Sequence, residues 1–576
     1  MMKGFYMNRT CLKFHFNNQR NVNLKHGKLH STDGLKTCNL SAYMKTILKF
    51  RYLVFIGVAY LSLFASCQKF VDINEDPINS VVPEITLLLP ATQLSIVGNY
   101  DDINRGASAV AQYLAGGSLN RYNQTGSTFE DSWIGYYTEV LPDLETIIAN
   151  GTNNQQWGYV SIAKLEKAYL YSLMVDLWGN IPFSQVGIDP NPVFEDGEAI
   201  YGSVLSLIDE ALADMEKDFT VSASADLFYQ GNKLKWQRMA NSLKLKLYNQ
   251  TRLVNPERSK TEIMALIAEN NFMQNNEDDF TFQFGTNQAP NARHPFYVTG
   301  YSPGRDTYQS MVVVDRLKAQ DDPRLRYYIF RMSANAGIGN STSGDGYYCR
   351  YPGDGLSSPA DQSTRAITGL YPSAGLYDNG VITTLMTSNT LLNNEGAAEG
   401  TTGNSFFPPL FANGDGTGAG VQPFITYSMI NFIRAEAALM LHTGDDAKVF
   451  LLKGVEAQLM SVNSLAIANQ AQVIPQATIS TFLARLGEEY DAASEQGKME
   501  LLMMQKWIAQ YGNGVESYTD YRRTGLPALV GLVSPLDSFP LRFFYSETEM
   551  TSNESVLDNR ETIQRNQQIT PVFWDR

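Results

Sequence analysis

Two stretches of this chain combine side chains that answer the surface of a sugar. Asn120-Arg121-Tyr122-Asn123-Gln124 is one, with Arg121, Tyr122 and Asn123 as its candidate ligands. His294 to Tyr308 (HPFYVTGYSPGRDTY) is the other, with Tyr297, Tyr301, Arg305, Asp306 and Tyr308. A pyranose presents flat C–H faces and a rim of hydroxyls. Aromatic planes cover the faces, and amide, carboxylate and guanidinium groups hydrogen-bond the rim. The competing reading is that these tyrosines only pack their own loops, because tyrosine, 31 residues in all, is common along the chain.

Catalytic chemistry leaves no comparable trace. Retaining or inverting glycosidases need two carboxylates about 5 or about 6.5–9.5 Å apart. A chain with 59 acidic residues makes chance pairs inevitable, and no motif sets one pair in a defined cleft. Of five histidines only His294 and His442 lie beyond residue 67, and neither sits in a nucleophile-elbow context. Cys349 is the single cysteine beyond Cys67, so neither a disulfide framework nor a Cys/His zinc site can be assembled. No cofactor is expected. Calcium held by Asp and backbone carbonyls is not readable from sequence.

Cys67 carries a different chemistry. Lys45, Lys49 and Arg51 precede an uncharged apolar run from Leu53 to Phe64, followed by Ala65, Ser66 and Cys67. A basic region, a short apolar region and a small-residue cleavage zone make up a secretory signal. The run is too short to span a bilayer as a helix. The stretch resembles a bacterial lipobox, except that Phe64 stands where leucine is usual. Cleavage would make Cys67 a lipidated N-terminus. An ordinary signal cleaved nearby, or an uncleaved anchor, are the alternatives.

A signal begins near a true start, and Met44 directly precedes Lys45. Residues 1–43 are therefore read as upstream of the start or removed with the signal, 44–66 as signal peptide, and 67–82 as lipidated cysteine and tether. Ten of the 45 basic residues and one of the 59 acidic residues fall at or before Cys67, leaving 35 and 58, a net −23. Such a surface repels phosphate backbones and anionic headgroups, so nucleic acid is excluded as a partner. The lipid, not a basic patch, would hold the protein to a membrane.

The elements that must position the two loops read as helices. Trp157–Trp178 has Leu170, Leu173, Met174 and Leu177 at i, i+3, i+4, i+7 and stops at Gly179. Glu198–Lys217 and Leu234–Leu253 follow, the last halted before Pro256. Further periodicity covers Glu84–Tyr100 with a kink expected at Pro90, a short Arg105–Ala115, and Glu130–Ala149. Helices return near Ile425–Met440, Asp446–Met460, Ile479–Leu486 and Glu495–Tyr511. Residues from about 275 to 422 are rich in Gly, Ser, Asn and Pro and read as a long loop insertion, with helical period only near Ser310–Leu317. The fold class expected is mainly all-α: antiparallel helix pairs in a TPR-like scaffold over 83–270 and 423–525, within a single domain at 83–576.

Five motifs, in order, then resemble the SusD/RagB family of outer-membrane lipoproteins, most closely its SusD-like branch. They are DLWGNIPFSQ (176–185), DDPRLRYY (321–328), PFITYSMINFIRAEAAL (423–439), QKWIAQYGNGVESYTDYRRTGLP (505–527) and PLRFFYSETEMTSN (540–553). The resemblance implies a non-catalytic cell-surface lipoprotein that captures a glycan or other oligomeric nutrient for a SusC-like TonB-dependent transporter. The motif residues read as structural. Trp178 would seat an indole in the core, Glu436 would pair with a nearby donor, and Arg522 and Arg523 would pair with Glu516 and Asp520. A surface glycoside hydrolase and a structural or adhesive lipoprotein are the alternatives. The helical pattern argues against the adhesin, because donor-strand assembly needs β edges.

Overall fold

The computed structural model describes residues 84–115, 125–300, 308–329, 419–468, 473–531 and 539–576, without the side chains of 297, 299, 300, 308 and 326. Its scaffold is helical. Helix α1 (Ile85–Val110) leads into strand β1 (Leu114–Ala115). Helix α2 (Glu130–Gly135) continues through a π-turn, Tyr136–Val140, into α3 (Leu141–Asn153). Helix α4 (Trp157–Trp178) ends at Gly179, whose φ of +84° suits a residue without Cβ. Strands β2 (Ile181–Pro182) and β3 (Phe194–Glu195) pair antiparallel and return the chain to α5 (Gly197–Met215). Helices α6 (Lys233–Gln250) and α7 (Pro256–Glu269) follow.

The loop-rich stretch carries strand β4 (Phe280–Phe284), helix α8 (Pro295–Gly300), strand β5 (Tyr308–Gln309), helix α9 (Met311–Ala319) where helical period is expected, and helix α10 (Leu325–Tyr328). Strand β6 (Gly420–Ile425) then opens a second helical run: α11 (Tyr427–Leu441), α12 (Ala447–Ala468), α13 (Gln476–Ala492), α14 (Glu495–Ala509) and α15 (Gly514–Thr524). Short helices α16 (Glu547–Ser552) and α17 (Arg560–Gln567) close the chain.

Consecutive helices pack as pairs: α4 with α5, α6 with α7, and α11 with α12. This is the helix-pair architecture that the periodicity implies. Pro90, where a kink is expected, lies inside the continuous helix α1, where it removes one bond, to the Thr86 carbonyl. Helix α6 ends at Gln250, before Pro256 as expected, and Pro256 is the first residue of α7, where a missing N–H costs nothing. Beyond the elements expected, Gly514–Thr524 forms a helix of its own, and the aromatic C-terminal stretch holds two more.

Apolar residues gather in two clusters. The first joins α1 to α7 with β6, one face of α11 and Trp574. The second joins α9, α12, α13 and α14 with Ala111 and Tyr113 at the end of α1. Trp178 is fully buried among Trp133, Phe129 and Phe543, and its indole N–H donates to the Phe544 carbonyl at 2.8 Å.

Between the helices runs a buried charged network built from the motif residues. Glu436 faces Arg252 (2.8 Å), Lys506 (3.7 Å) and both terminal nitrogens of Arg523. Asp520 accepts from Lys506 (2.8 Å), Arg523 (2.6 Å) and Gln510 (3.1 Å). Lys246 bridges Glu516 (3.0 Å) and Asp176 (3.4 Å). Arg522 departs from its expected pairing. Its guanidinium donates to the carbonyls of Asp176 and Leu541 and stacks on Tyr518 and Trp574, because Lys246 already occupies Glu516.

Helices α1 and α15 cross at Gly514. A Cβ there would fall inside the contact distance of the Ser108 backbone nitrogen and Cα. The Gly514 N–H also donates to Asn104 at 2.8 Å, so neither helix can retreat without breaking a buried bond. Gly514→Ala is expected to cost about 1–3 kcal/mol through overpacking. Urea denaturation checks this; an unchanged midpoint would mean that the crossing is loose.

Candidate functional site

Both sugar-type loops are rooted on the same end of α1. That helix stops in a Schellman arrangement. The Gln112 N–H donates to the Ala109 carbonyl (3.2 Å) and the Tyr113 N–H to the Ser108 carbonyl (2.8 Å). Gln112 takes the left-handed position with φ +66°, where glycine is usual. A residue with a Cβ pays roughly 1 kcal/mol there.

Beyond it β1 pairs antiparallel with β5, Leu114 opposite Gln309 and Ala115 opposite Tyr308, and the Ser310 N–H donates to the Tyr113 carbonyl at 3.0 Å. The first loop leaves from Ala115, and the second ends at Tyr308. A two-residue ladder therefore sets the start of one loop beside the end of the other.

The opposite end of the second loop is fixed by packing. His294 is fully buried between Phe284 (ring centroids 4.8 Å) and Phe296 (5.4 Å). Its Nδ1 accepts from the Phe296 N–H at 3.1 Å. Burial, aided by the nearby Arg105 charge, pushes the imidazole down to about 3, so it stays neutral. Arg105 of α1 lies 5.1 Å over the Phe296 ring and pairs with Asp101 at 3.0 Å. The loop's first residues are thus an anchor onto α1, and His294 is a packing residue.

Two more chain segments reach the same place. Strand β6 pairs with β4, Gly420 opposite Phe284, and its Gln422 side chain accepts from Asn104 of α1 at 3.4 Å. The segment after α15 arrives at Val530, whose backbone N–H and carbonyl bond the Gln112 side-chain amide at 3.0 and 2.8 Å. Beneath the β1–β5 ladder lies a buried aromatic stack. Tyr113 stacks on Trp507 at 4.6 Å, Tyr328 stacks on Tyr511 at 4.5 Å, and the Arg316 guanidinium covers Trp507 at 4.4 Å. Trp507 donates to the Ala111 carbonyl at 3.0 Å, and Arg316 donates to the Ala528 carbonyl. Burial lowers the Arg316 pKa to about 10, still charged at neutral pH.

Of the sugar-ligand candidates, Arg121, Tyr122, Asn123, Tyr301 and Arg305 lie outside the described residues, as does Cys67. Tyr297 is placed by its backbone in α8 and Tyr308 in β5; their side chains lie outside the described set. What the ladder joins is the two loops' roots. Gln112 was missed by sequence reading. Gly116 and Gly117 are the obvious stop after the Ala-rich run, and a glutamine in a glycine position leaves no mark in composition.

Among the described residues no group of three His, Cys, Asp or Glu could hold a metal ion, and no helix is long and apolar enough to cross a membrane. A shallow groove of about 380 Å³ lies between the 321–323 turn and α13, floored by Phe482. Arg485 at its rim is engaged by the Gln320 carbonyl and Asp321.

Comparison with known proteins extends this description. The family model SusD-like_2, described as starch-binding associating with outer membrane, matches residues 77–545. No curated protein matches the sequence significantly. Solved structures do. A SusD/RagB family protein from Bacteroides thetaiotaomicron superposes with a TM-score of 0.66 at 20% identity, over 86% of this chain and 99% of its own. A chitin-binding protein gives 0.63 at 21%, over 86% and 100%. A chitin-binding SusD homolog from Flavobacterium johnsoniae gives 0.62 at 18%, over 84% and 99%. At these identities the likeness establishes the fold.

Proposed function

This chain belongs to the SusD-like family of starch-binding, outer-membrane-associated proteins, and on that premise we propose that it captures a glycan at the cell surface and passes it to a SusC-like TonB-dependent transporter. Members of this family are binding proteins rather than enzymes. The observation that carries the reading is the common rooting of both sugar-type loops by the β1–β5 ladder on α1. In this reading the candidate residues of both stretches serve one glycan. Arg121, Tyr122, Asn123, Tyr297, Tyr301, Arg305 and Tyr308 supply the planes and the donors, and the helix pairs hold their roots still.

In this account Cys67 is acylated after signal cleavage, and residues 68–82 tether the domain to the outer leaflet of the outer membrane. One acyl chain would bind only marginally, so a multiply acylated cysteine is required for stable anchoring. The mature charge of −23 leaves the lipid as the attachment. The structures of two chitin-binding relatives make β-linked N-acetylglucosamine oligomers, alongside starch oligomers, the first glycans to test.

The test uses the mature protein with chitohexaose and maltoheptaose. Saturable binding by calorimetry, with no new reducing ends after overnight incubation, is the expected result. Release of reducing ends would make the protein a glycosidase, and failure to bind a wider glycan panel would remove the capture role.

A further inference from the structure

Gln112 occupies the one position in the α1 terminus where a side chain is a liability, and it uses that side chain fully. Its φ is +66°, its exposure is 0%, and the Schellman bonds around it involve only backbone atoms. Glycine would make the same turn without strain. What glycine could not do is reach Val530. The Gln112 amide donates through Nε2 to the Val530 carbonyl (2.8 Å) and accepts through Oε1 from the Val530 N–H (3.0 Å). The pair imitates one rung of a β-ladder between segments 418 residues apart. A strained residue retained at a site that does not need its side chain for folding points to a role for that side chain.

The neighbours of this rung give the role. Tyr113, next in the chain, accepts from Ser310, and Leu114 and Ala115 pair with Gln309 and Tyr308. Ala528, two residues before Val530, accepts from Arg316 of α9, the helix capped by Ser310. The segments 111–115, 308–316 and 528–530 are therefore closed into one ring of hydrogen bonds, and Gln112 is the member that joins the third to the first.

We infer that Gln112 is a positioning residue, a clamp that sets the 528–530 segment against the roots of both sugar-type loops and so fixes the spacing of the recognition surface. This rests on the glycan-capture reading, yet the clamp itself can be tested without ligand. Gln112 touches no glycan, being buried; it acts through the backbone of Val530 and the ladder it stabilises.

The decisive variant is Gln112→Gly, which relieves the left-handed strain and deletes the amide. Gln112→Met keeps the strain and the length and deletes only the hydrogen bonds. Hydrogen exchange is followed in peptides covering 111–115, 308–316 and 526–531 of the ligand-free mature protein. Both variants should raise exchange in all three peptides together, on the order of tenfold for two lost hydrogen bonds. Gln112→Gly should lower the midpoint of thermal unfolding less than Gln112→Met does, because it alone relieves the strained φ. Both should weaken binding of chitohexaose or maltoheptaose, whichever the wild type binds.

Exchange that rises at 526–531 alone, or in none of the peptides, overturns the clamp. Coupled exchange with unaltered glycan affinity overturns its positioning role. Coupled exchange in a wild type that binds neither glycan upholds the clamp and counts against the capture reading instead, so the two failures are distinct.

Discussion

Replacing Glu436 with alanine is expected to cost about 3–5 kcal/mol of stability, because it leaves buried cations without their counter-charge. Glu436 is fully buried and faces Arg252, Arg523 and Lys506, and Asn249 donates to it at 3.1 Å. Burial alone would raise its carboxyl, but the three cations outweigh burial and hold it far below the usual carboxylate range. Arg252, by contrast, is pushed down to about 10 by burial, with Arg523 adding to the effect. The network thus sits close to balance, and removing one anion upsets it more than an exposed pair would.

The sign of the pH dependence follows. A carboxyl with a depressed folded pKa stabilises the fold above its unfolded value of about 4.3, and that stability is lost as pH falls below it toward the folded value. Urea midpoints measured from pH 7 down to 3 should fall steeply for the wild type and less steeply for Glu436→Ala. Parallel curves would show that Glu436 is not the group that titrates.

The second large effect falls on binding. Tyr301→Ala combined with Arg305→Ala is expected to weaken glycan binding by about 3 kcal/mol, on the order of 100-fold. One change removes a stacking plane and the other a charged donor to hydroxyls. In this account both side chains serve the glycan and not the fold, so the thermal midpoint should stay within a degree or two. Calorimetry with the glycan that the wild type binds decides the matter. Unchanged affinity with a lowered midpoint would mean that these residues pack their loop, as the abundance of tyrosine allows.

Much of the scaffold was legible because long amphipathic helices write their period openly. Trp157–Trp178 has the bounds that its apolar spacing and Gly179 imply. Prolines were only partly legible. Pro90 and Pro256 carry the same residue type, yet what each does depends on its distance from a helix start, which composition does not encode. The ion network was half legible: Arg523 meets Asp520 as its i, i+3 spacing allows, whereas Arg522 is diverted because a lysine 270 residues away takes Glu516. Such long-range competition has no local signature.

The sugar-type loops were legible as chemistry and not as geometry. Aromatic and amide residues can be picked out by type, but nothing in either stretch says that Ala115 pairs with Tyr308. Two-residue strands are too short for an alternating pattern, and their register comes from the helix end beneath them. Gln112 is the extreme case, since its importance lies in a conformation that its neighbours impose.

The central claim is that this domain works over a transporter. The most direct measurement is a pull-down of tagged, full-length protein from detergent-solubilised outer membranes, with the partners identified by mass spectrometry. Capture and handover predict a TonB-dependent barrel recovered in stoichiometric amount, with the bait lipidated at Cys67. A bait recovered alone from intact outer membranes, with no barrel after cross-linking, would contradict the account.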